Sequence, residues 1–378
     1  MINIADTDVL IVELHPLFGD GGGRYASRAF INAFAQIAKS VTVLYENSGA
    51  PEKLNPNVTI EPVAKQSTYV RGSRLIFRGI PHPFVPKFKQ LMQLNKYKLV
   101  VFDNSRVSYQ LIDIAQKAGS KVVTIHHNYE YEFLRDAASA TLKKPFLLRA
   151  AQKAECNAVR KSDLNICLTQ TDCQTLKQVY APNINVNIES VGMFEYQQNT
   201  IENLENYQSD YFILTGNLRA KQTNDSINEF KPYLAQLKKN VPNLKLRMAG
   251  KNPRADLIKY CQSNGFEIIA SPKEMQPFLT DAKYYLCPIS KGGGIKLRIM
   301  DGLKNGLIVI AHQKASRGYE EFIGKNMFVY SSASTFAQAV TDAQKCSFSR
   351  QQAVELYRSI FSFESGVGRL QKLLQSIK

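Results

Sequence analysis

The sequence of 378 residues is short of the features that mark secreted, metal-bound or membrane-spanning proteins. Its six cysteines, Cys156, Cys167, Cys173, Cys261, Cys287 and Cys346, form no C-x-x-C pair and no Cys/His cluster at zinc spacing. Most lie in apolar runs, as Cys167 does in LNICLT and Cys287 in YYLCPI, so they read as small core residues in a reducing compartment. The five histidines are scattered and give no separate case for a metal. No apolar run approaches the ~20 residues needed to span a membrane. The opening MINIADTDVLIVELHP lacks a basic region ahead of its apolar run, so no signal peptide is expected. The reading is a cytoplasmic protein. Acidic residues are also in short supply: 32 Asp and Glu stand against 48 Lys and Arg, a net charge of +16. A chain this basic attracts polyanions such as nucleic acid, an anionic membrane face or phosphorylated substrates.

What is present is core-forming material in a regular order. Hydrophobic residues make up 44% of the chain, and the length suits two domains. Short apolar runs alternate with amphipathic ones. DVLIVELH, SVTVLYE, NVTIEPV, YKLVVFD and KVVTIHH read as strands, and GRYASRAFINAFAQIAKS as a helix. A helix is expected from about Val107 to Ala118, and a helical block from Glu130 to Lys161. DLNICLTQ and NVNIESVG read as further strands, flanking a helix with Thr171 as its N-cap.

An amide-rich stretch containing Gln197, Gln198, Asn199, Asn203, Asn206 and Gln208 follows, and the α/β alternation then restarts. The pattern predicts an α/β fold of two Rossmann-like domains facing across a cleft. The N-terminal domain covers 1–194, a linker 195–209 and the C-terminal domain 210–348. A helical tail, 349–378, is interrupted near Gly366 and Gly368, with the N-terminal domain as a candidate surface for it to pack back on.

In open α/β sheets ligands bind outside the carboxyl ends of the strands, so the strand-to-helix loops are the candidate sites. The most informative loop lies in PISKGGGIKLRIMDGLKNGLIVIAH. A strand ends at Ile289, Gly292, Gly293 and Gly294 follow, and a helix is expected to start near Ile295 or Lys296. Glycines let backbone N–H groups approach a phosphate, and the helix N-terminus, Lys296 and Arg298 add positive charge. Asp301, expected in the second turn, carries a carboxylate suited to ribose hydroxyls.

The segment GGGIKLRIMDGLKNGLIVIAH resembles the donor-site segment of retaining glycosyltransferases with the GT-B fold, the glycosyl transferases group 1 or family 4-like branch. Many of these read GGG-x-[KR]-x-K-[IV]-[LM]-E-[AG]-[ML]-x-x-G-x-P-V-[IV]. Here Asp301 stands in place of Glu, Ile308 in place of Pro, and Gly293 at the site of an earlier acid in the wider family. The resemblance implies that Asp301 meets the ribose of a nucleotide sugar, while Gly292, Gly293, Gly294, Ile295 and the nearby cations meet the diphosphate and sugar. It extends through ILTGNLRAKQTNDSINEF, where Gly216 matches a glycine followed by diphosphate-gripping cations, either Arg219 or Lys221. In LKLRMAGKNPRADL, Gly250 matches a glycine near the nucleotide base, with Lys251 a weaker candidate. SRGYEEF resembles a later small-residue loop.

In the N-terminal half, HPLFGDGGGRYASRAF places Gly21, Gly22 and Gly23 where the family lines its cleft with glycines. Position 24 is Arg, so this is no dinucleotide-binding fingerprint. KVVTIHHNYEYEF resembles the family's HN-x-E pattern at His127, Asn128 and Glu130. The resemblance puts His127 near the transferred sugar, where an imidazole can bond a hydroxyl or handle the acceptor proton. His126 is expected on the opposite face of the strand. The D-x-D at Asp6 and Asp8 precedes the first strand and is not read as a metal site. The family generally needs no metal, and no cofactor beyond the nucleotide-sugar substrate is expected.

From Val63 to Phe102 there is no Asp or Glu, whereas Lys65, Arg71, Arg74, Arg78, Lys87, Lys89, Lys96 and Lys98 fall within that span. Tyr69, Phe77, Phe84 and Phe88 are interleaved, and Pro81, Pro83 and Pro86 argue for irregular backbone. A second basic block runs from Leu142 to Lys161. Together they suggest docking on the inner face of a membrane that carries a lipid-linked acceptor. Nucleic acid is disfavoured for want of a recognisable module.

The function expected is a retaining, metal-independent hexosyl-type glycosyltransferase, moving a sugar from a nucleotide-diphosphate donor to a glycan or lipid-linked acceptor in cell-surface polysaccharide or glycolipid synthesis. His127, Arg298 and Lys296 are the catalytic candidates. Another nucleotide-sugar enzyme on this fold, an epimerase or phosphorylase, and a non-catalytic basic protein binding membrane or nucleic acid stay open at this point.

Overall fold

The computed structural model describes residues 3–14, 21–46, 55–78, 82–137, 142, 144–198, 207, 209–241 and 243–377. By its contacts the chain divides into two units, Met1–Asn199 with Phe361–Lys378, and Thr200–Ile360. Most of the proposed linker, 199–206 and 208, lies outside the described residues.

The first unit runs β1 (Asp8–Glu13), α1 (Gly22–Ile37), β2 (Ser40–Glu46), β3 (Val58–Val63), α2 (Thr68–Arg78), α3 (Val85–Leu94), β4 (Leu99–Asp103), α4 (Ser105–Ser108), α5 (Leu111–Lys117), β5 (Lys121–His126), α6 (Glu130–Ala137), α7 (Lys144–Lys161), β6 (Leu164–Cys167), α8 (Gln170–Tyr180) and β7 (Ile188–Ser190). Its strands form a seven-stranded sheet in the order β3-β2-β1-β4-β5-β6-β7. Each pairing is parallel, Glu13 of β1 standing opposite Asp103 of β4 at the carboxyl edge. Helices cover both faces of such a sheet, which is why its strands are continuous runs such as LIV and LVVF rather than alternating ones. One core gathers Leu10, Val12, Phe84, Phe88, Val100 and Phe102, and a smaller one Val159, Cys167, Cys173 and Leu176.

The second unit runs β8 (Phe212–Asn217), α9 (Lys221–Asn240), β9 (Leu246–Lys251), α10 (Ala255–Asn264), β10 (Glu267–Ala270), α11 (Gln276–Asp281), β11 (Tyr284–Cys287), α12 (Arg298–Lys304), β12 (Ile308–His312), β13 (Met327–Tyr330), α13 (Ala333–Gln344) and α14 (Arg350–Phe361). Its sheet has the order β10-β9-β8-β11-β12-β13, the same winding as the first six strands of the other unit. Phe212 stacks on Tyr284 with centroids 4.4 Å apart, and Phe230, Tyr330 and Phe336 pack around one another. The strand order reverses between β1 and β4 in one unit and between β8 and β11 in the other. Such switch points leave a crevice at the carboxyl ends of the strands.

The last helix, α15 (Phe363–Leu374), belongs to the first unit and packs on α1. A Cβ added at Gly366 would lie 2.0 Å from Phe194 Cγ, so glycine is what lets this helix sit against that ring. Arg369 Nε donates to the Val191 carbonyl at 2.7 Å. The tail breaks at Ser362, not at its glycines: Gly366 and Gly368 are helical, and the Ser362 hydroxyl caps α15 by accepting from Ser365 N at 3.2 Å.

Other local expectations are corrected too. The helix expected over 107–118 is two, α4 and α5, parted by Gln110 at φ 67°. The block 130–161 is likewise α6 and α7. The cap of α8 is Thr169, not Thr171, because Thr169 accepts from Asp172 N at 3.1 Å and donates to its carboxylate at 2.7 Å. The basic strip is mostly helical, α2 and α3; Pro86 sits in the first turn of α3, where a missing N–H removes no helical bond, and Pro81 lies outside the described residues. Among the described residues no helix is long and apolar enough to cross a membrane.

Candidate functional site

In the second unit three loops meet at the switch point. Gly216 of β8 pairs with Gly250 of β9, and a Cβ on Gly250 would fall 1.8 Å from the Gly216 carbonyl oxygen. The two backbones touch, and no side chain fits between them. Gly216 has φ 149°, and a Cβ there would lie 2.9 Å from an Arg298 nitrogen. Arg298, the first residue of α12, thus reaches across the reversal in strand order. Its guanidinium donates to the Thr215 carbonyl at 3.3 Å and to the Thr223 hydroxyl at 3.1 Å.

Helix α12 begins at Arg298, later than expected, and Asp301 sits in its first turn with its residue exposed. The segment before it is irregular. Gly292 and Gly294 have φ of 86° and 70°, the left-handed region that favours glycine. Lys296 does not face outward with the other cations, as a direct phosphate contact requires. It is buried, and its ammonium donates to the carbonyls of Gly292, Gly293 and Gly294 at 3.0, 2.7 and 2.9 Å. The N–H groups of Gly293, Gly294 and Ile295 meet no acceptor among the described residues. Gly293 and Gly294 are buried and Ile295 half-buried.

The remaining second-unit candidates are more open. Arg219 is exposed and lines an open groove with Asn252, Pro253, Arg254 and Asp256. Lys221 is exposed and pairs with Asp225 at 2.5 Å. Lys251 ends β9 on the surface.

In the first unit the carboxyl edge holds a buried polar cluster. His127 Nε2 lies 2.6 Å from an Asp103 carboxylate oxygen. Burial opposes the charged imidazole, but the charge and hydrogen bond of Asp103, with the charge of Glu130, outweigh it and raise the His127 pKa above its ordinary value. Asp103 is the reciprocal case. Burial opposes its charge; the charge of His127 and hydrogen bonds from Glu13, His127 and Ser27 hold it below the usual carboxylate range. Neighbouring His126 bonds Asn165 at 3.0 Å, and burial brings its pKa down to about 4, so it is a neutral structural residue.

Glu130 turns inward rather than toward an open cleft. It takes a hydrogen bond from Asn104 Nδ2 at 2.7 Å and lies 3.8 Å from Arg106. Glu155 of α7, also buried, holds the start of α6: it accepts from Glu130 N at 2.6 Å, Tyr131 N at 3.3 Å and the Tyr180 hydroxyl at 2.9 Å. Burial first, and the charge of Glu130 second, push its pKa up to about 8. Asn128 is half-buried, and its Oδ1 has no partner among the described residues. Gly21 caps α1 at φ 143°, while Gly22 and Gly23 are its first helical residues rather than loop; residues 15–20 before them lie outside the described residues.

Glu13, Asp103, Glu155 and Thr223 are the residues that sequence reasoning missed. A signal existed for two of them: DVLIVE and LVVFD each end an apolar strand on an acid, at the edge where a doubly wound sheet binds ligands. Nothing local marks Glu155 or Thr223.

The basic strip is only partly available. Arg71 pairs with Glu46, Lys87 with Glu61 at 2.9 Å, and Arg74 donates to the His82 carbonyl at 3.2 Å. Phe84 and Phe88 are core, not surface. Lys65, Lys89, Lys96 and Lys98 are exposed, as are Tyr69, Val70, Ile76 and Leu94. Of the D-x-D pair, Asp8 takes the Ser40 hydroxyl at 2.6 Å. Among the described residues no three His, Cys, Asp or Glu side chains converge as a metal-ligand set.

Two sheets of one winding, each with its polar residues at the point where strand order reverses, define the class of doubly wound, two-unit α/β proteins with the GT-B fold. Residues 209–345, within the second unit, match the family described as glycosyl transferases group 1. Solved structures agree on the fold over nearly the whole chain. Sucrose-phosphate synthase from Thermosynechococcus elongatus matches with a TM-score of 0.71 at 12% identity, covering 98% of each chain. HepE of Anabaena, in complex with UDP, matches with a TM-score of 0.65 at 13% identity, covering 98% of this chain and 100% of that one. The apo form of the lipopolysaccharide outer core galactosyltransferase WaaB matches with a TM-score of 0.64 at 11% identity, covering 98% and 99%. No curated protein sequence matches the chain.

Proposed function

We propose that this protein is a glycosyltransferase that moves a hexosyl group from a nucleotide-diphosphate sugar to a glycan or lipid-linked acceptor, with retention of anomeric configuration and without a metal ion. The observation that carries the reading is the glycine loop of the family-matched unit. Three neighbouring N–H groups, of Gly293, Gly294 and Ile295, meet no acceptor among the described residues, two of them in buried residues, and buried N–H groups are seldom left unpaired. A diphosphate supplies the missing acceptors. Arg298 follows the loop as the first residue of α12, and charge building on the leaving diphosphate is what such fixed donors stabilise.

In this reading Gly216 and Gly250 bring bare backbone up to the nucleotide, Arg219 borders the groove next to them, and Asp301 takes the ribose. The first unit takes the acceptor. His127, held by Asp103, offers a positioned imidazole to a sugar hydroxyl. Attack from the face the diphosphate leaves makes the departing phosphate the natural proton acceptor, so no protein base is required. The exposed Tyr69, Val70, Ile76 and Leu94 beside Lys65, Lys89, Lys96 and Lys98 suit the anionic inner face of a membrane, and fit an enzyme of cell-surface polysaccharide or glycolipid synthesis.

The test is a thermal-shift panel of UDP, GDP, ADP, CMP and dTDP with their sugar conjugates, in chelator. A ligand at about 100 times its dissociation constant stabilises by roughly 2.7 kcal/mol. One nucleotide standing out supports the donor site and names the base. A flat panel with folded protein overturns it. Product analysis with and without acceptor then separates transfer from epimerisation, and sedimentation with anionic and neutral liposomes tests the membrane surface.

A further inference from the structure

The geometry points to Lys296 as a built-in cation that shapes the glycine loop from behind, a positioning residue rather than one that touches the leaving phosphate. The inference rests on the donor-site reading only for what the loop binds.

An ammonium has three N–H donors and no acceptor. Lys296 directs three hydrogen bonds to three successive carbonyls, Gly292, Gly293 and Gly294, at 2.7 to 3.0 Å. A phosphate can engage the same ammonium only by displacing one of them. In a planar trans peptide the C=O of one residue and the N–H of the next point in opposite directions. The described chain has no cis peptide. With the three carbonyls aimed at Nζ, the N–H groups of Gly293, Gly294 and Ile295 are aimed away from it. None of these three N–H groups meets an acceptor among the described residues. Lys296 therefore sorts the loop into an oxygen-lined side that it occupies and a hydrogen-lined side that it leaves for an anion.

The surroundings fix this arrangement. Successive carbonyls converge on one point only if the chain alternates in handedness, and Gly292 and Gly294, at φ 86° and 70°, provide that. Tyr319, itself buried, donates from its hydroxyl to the Lys296 main-chain carbonyl at 3.1 Å, fixing the backbone from which the lysine side chain starts. Gln222 Nε2 donates to the Lys291 carbonyl at 3.1 Å at the entry to the loop. The positive charge of Lys296 still favours an anion across the loop, but through the peptide dipoles it aligns. Arg298 is bonded to Thr215 and Thr223 instead, and on the donor-site reading it is the cation left to meet the diphosphate.

The test uses Lys296→Ala, whose carbonyl cradle is left open to a small cation. Apo-protein melting temperature is read in ammonium chloride and in tetramethylammonium chloride at equal ionic strength. The variant is expected to melt below wild type, to recover in ammonium, and not to recover in tetramethylammonium, which is too large to enter. Affinity for the nucleoside diphosphate of the panel that binds wild type is expected to fall at least tenfold and to recover at least threefold in ammonium. A folded Lys296→Ala protein that ammonium does not restore overturns the inference. Equal recovery in both salts, or undiminished diphosphate affinity, also overturns it. Should Lys296→Ala fail to fold, Lys296→Gln, which keeps a neutral donor, must still bind diphosphate more weakly than wild type, and undiminished affinity overturns the inference. If wild type binds no diphosphate while ammonium rescues the apo variant, the cradle stands and the donor reading falls.

Discussion

Glu155 should make this protein less stable as pH rises through neutrality, and the effect can be isolated with one substitution. The carboxyl is buried and close to Glu130, and its pKa stands at about 8 against an ordinary 4.5. A group that binds its proton more tightly folded than unfolded contributes stability that is complete below the unfolded pKa. That stability drains away as pH rises toward the folded pKa. A tenfold difference in proton affinity between the folded and unfolded states is worth ~1.4 kcal/mol, so wild type should lose about 3 kcal/mol between roughly pH 5.5 and 8.5. Glu155→Gln cannot titrate and should lose none of this component. For units of this size the difference amounts to a fall on the order of 6–12 °C in melting temperature, wild type against variant. Thermal unfolding of both proteins across that range is the assay. His127 and Asp103 titrate in both proteins, so their contribution cancels in the difference. Two curves that run parallel with pH would refute the placement of a buried, proton-binding carboxyl behind α6.

Three further outcomes follow from named contacts. Asp103→Asn removes the countercharge on His127, so its pKa should drop below the ordinary histidine value under the burial that remains; a histidine NMR titration that leaves His127 unmoved removes the pairing from the account. Arg298→Ala should cut turnover on the order of 100–1000-fold, the scale of losing one charge-stabilising donor, while the protein stays folded; near-normal turnover takes Arg298 out of the site. Gly366→Ala drives a Cβ against the Phe194 ring and should cost about 1–3 kcal/mol, whereas Gly368→Ala, on the same helix with open space around it, should be neutral or stabilising. Equal melting temperatures for that pair would mean that α15 does not seat on Phe194.

Much of the architecture is written in hydrophobic runs. Strands such as β4 and β12 are apolar from end to end because both faces of a parallel sheet are covered, and runs of that kind are visible without a structure. Short-range competition is less visible. Thr169 and Thr171 both offer a hydroxyl near the start of α8, and the choice falls to Thr169 because Asp172 lies three residues on. The prolines of the basic strip suggest irregular backbone, yet Pro86 is tolerated in the first turn of a helix, and Phe84 and Phe88 give that helix a face to bury. At the candidate site the glycines and Arg298 are legible as a loop rich in phosphate-binding residues. The direction of Lys296 is not, since charge and position alone do not say whether an ammonium faces a ligand or its own backbone. Asp103 and Glu155 escape notice for a related reason: each meets its partner from a different strand or helix, 24 or 25 residues away.

The return of α15 to the first unit has a consequence for how the chain acquires its structure. Residues 200–360 form a contiguous unit, complete once they are made. The first unit is split, because Phe194 and α1 await a helix that begins at Phe363, beyond the whole of the second unit. During synthesis the half made first must therefore wait with an apolar face uncovered while the half made second finishes. At an elongation rate of about 5–20 residues per second that wait lasts on the order of ten seconds or more. The exposed face between α1 and Phe194 is then the place where a chaperone would bind the nascent chain, and where a ribosome stalled before Phe363 would leave a product prone to aggregate.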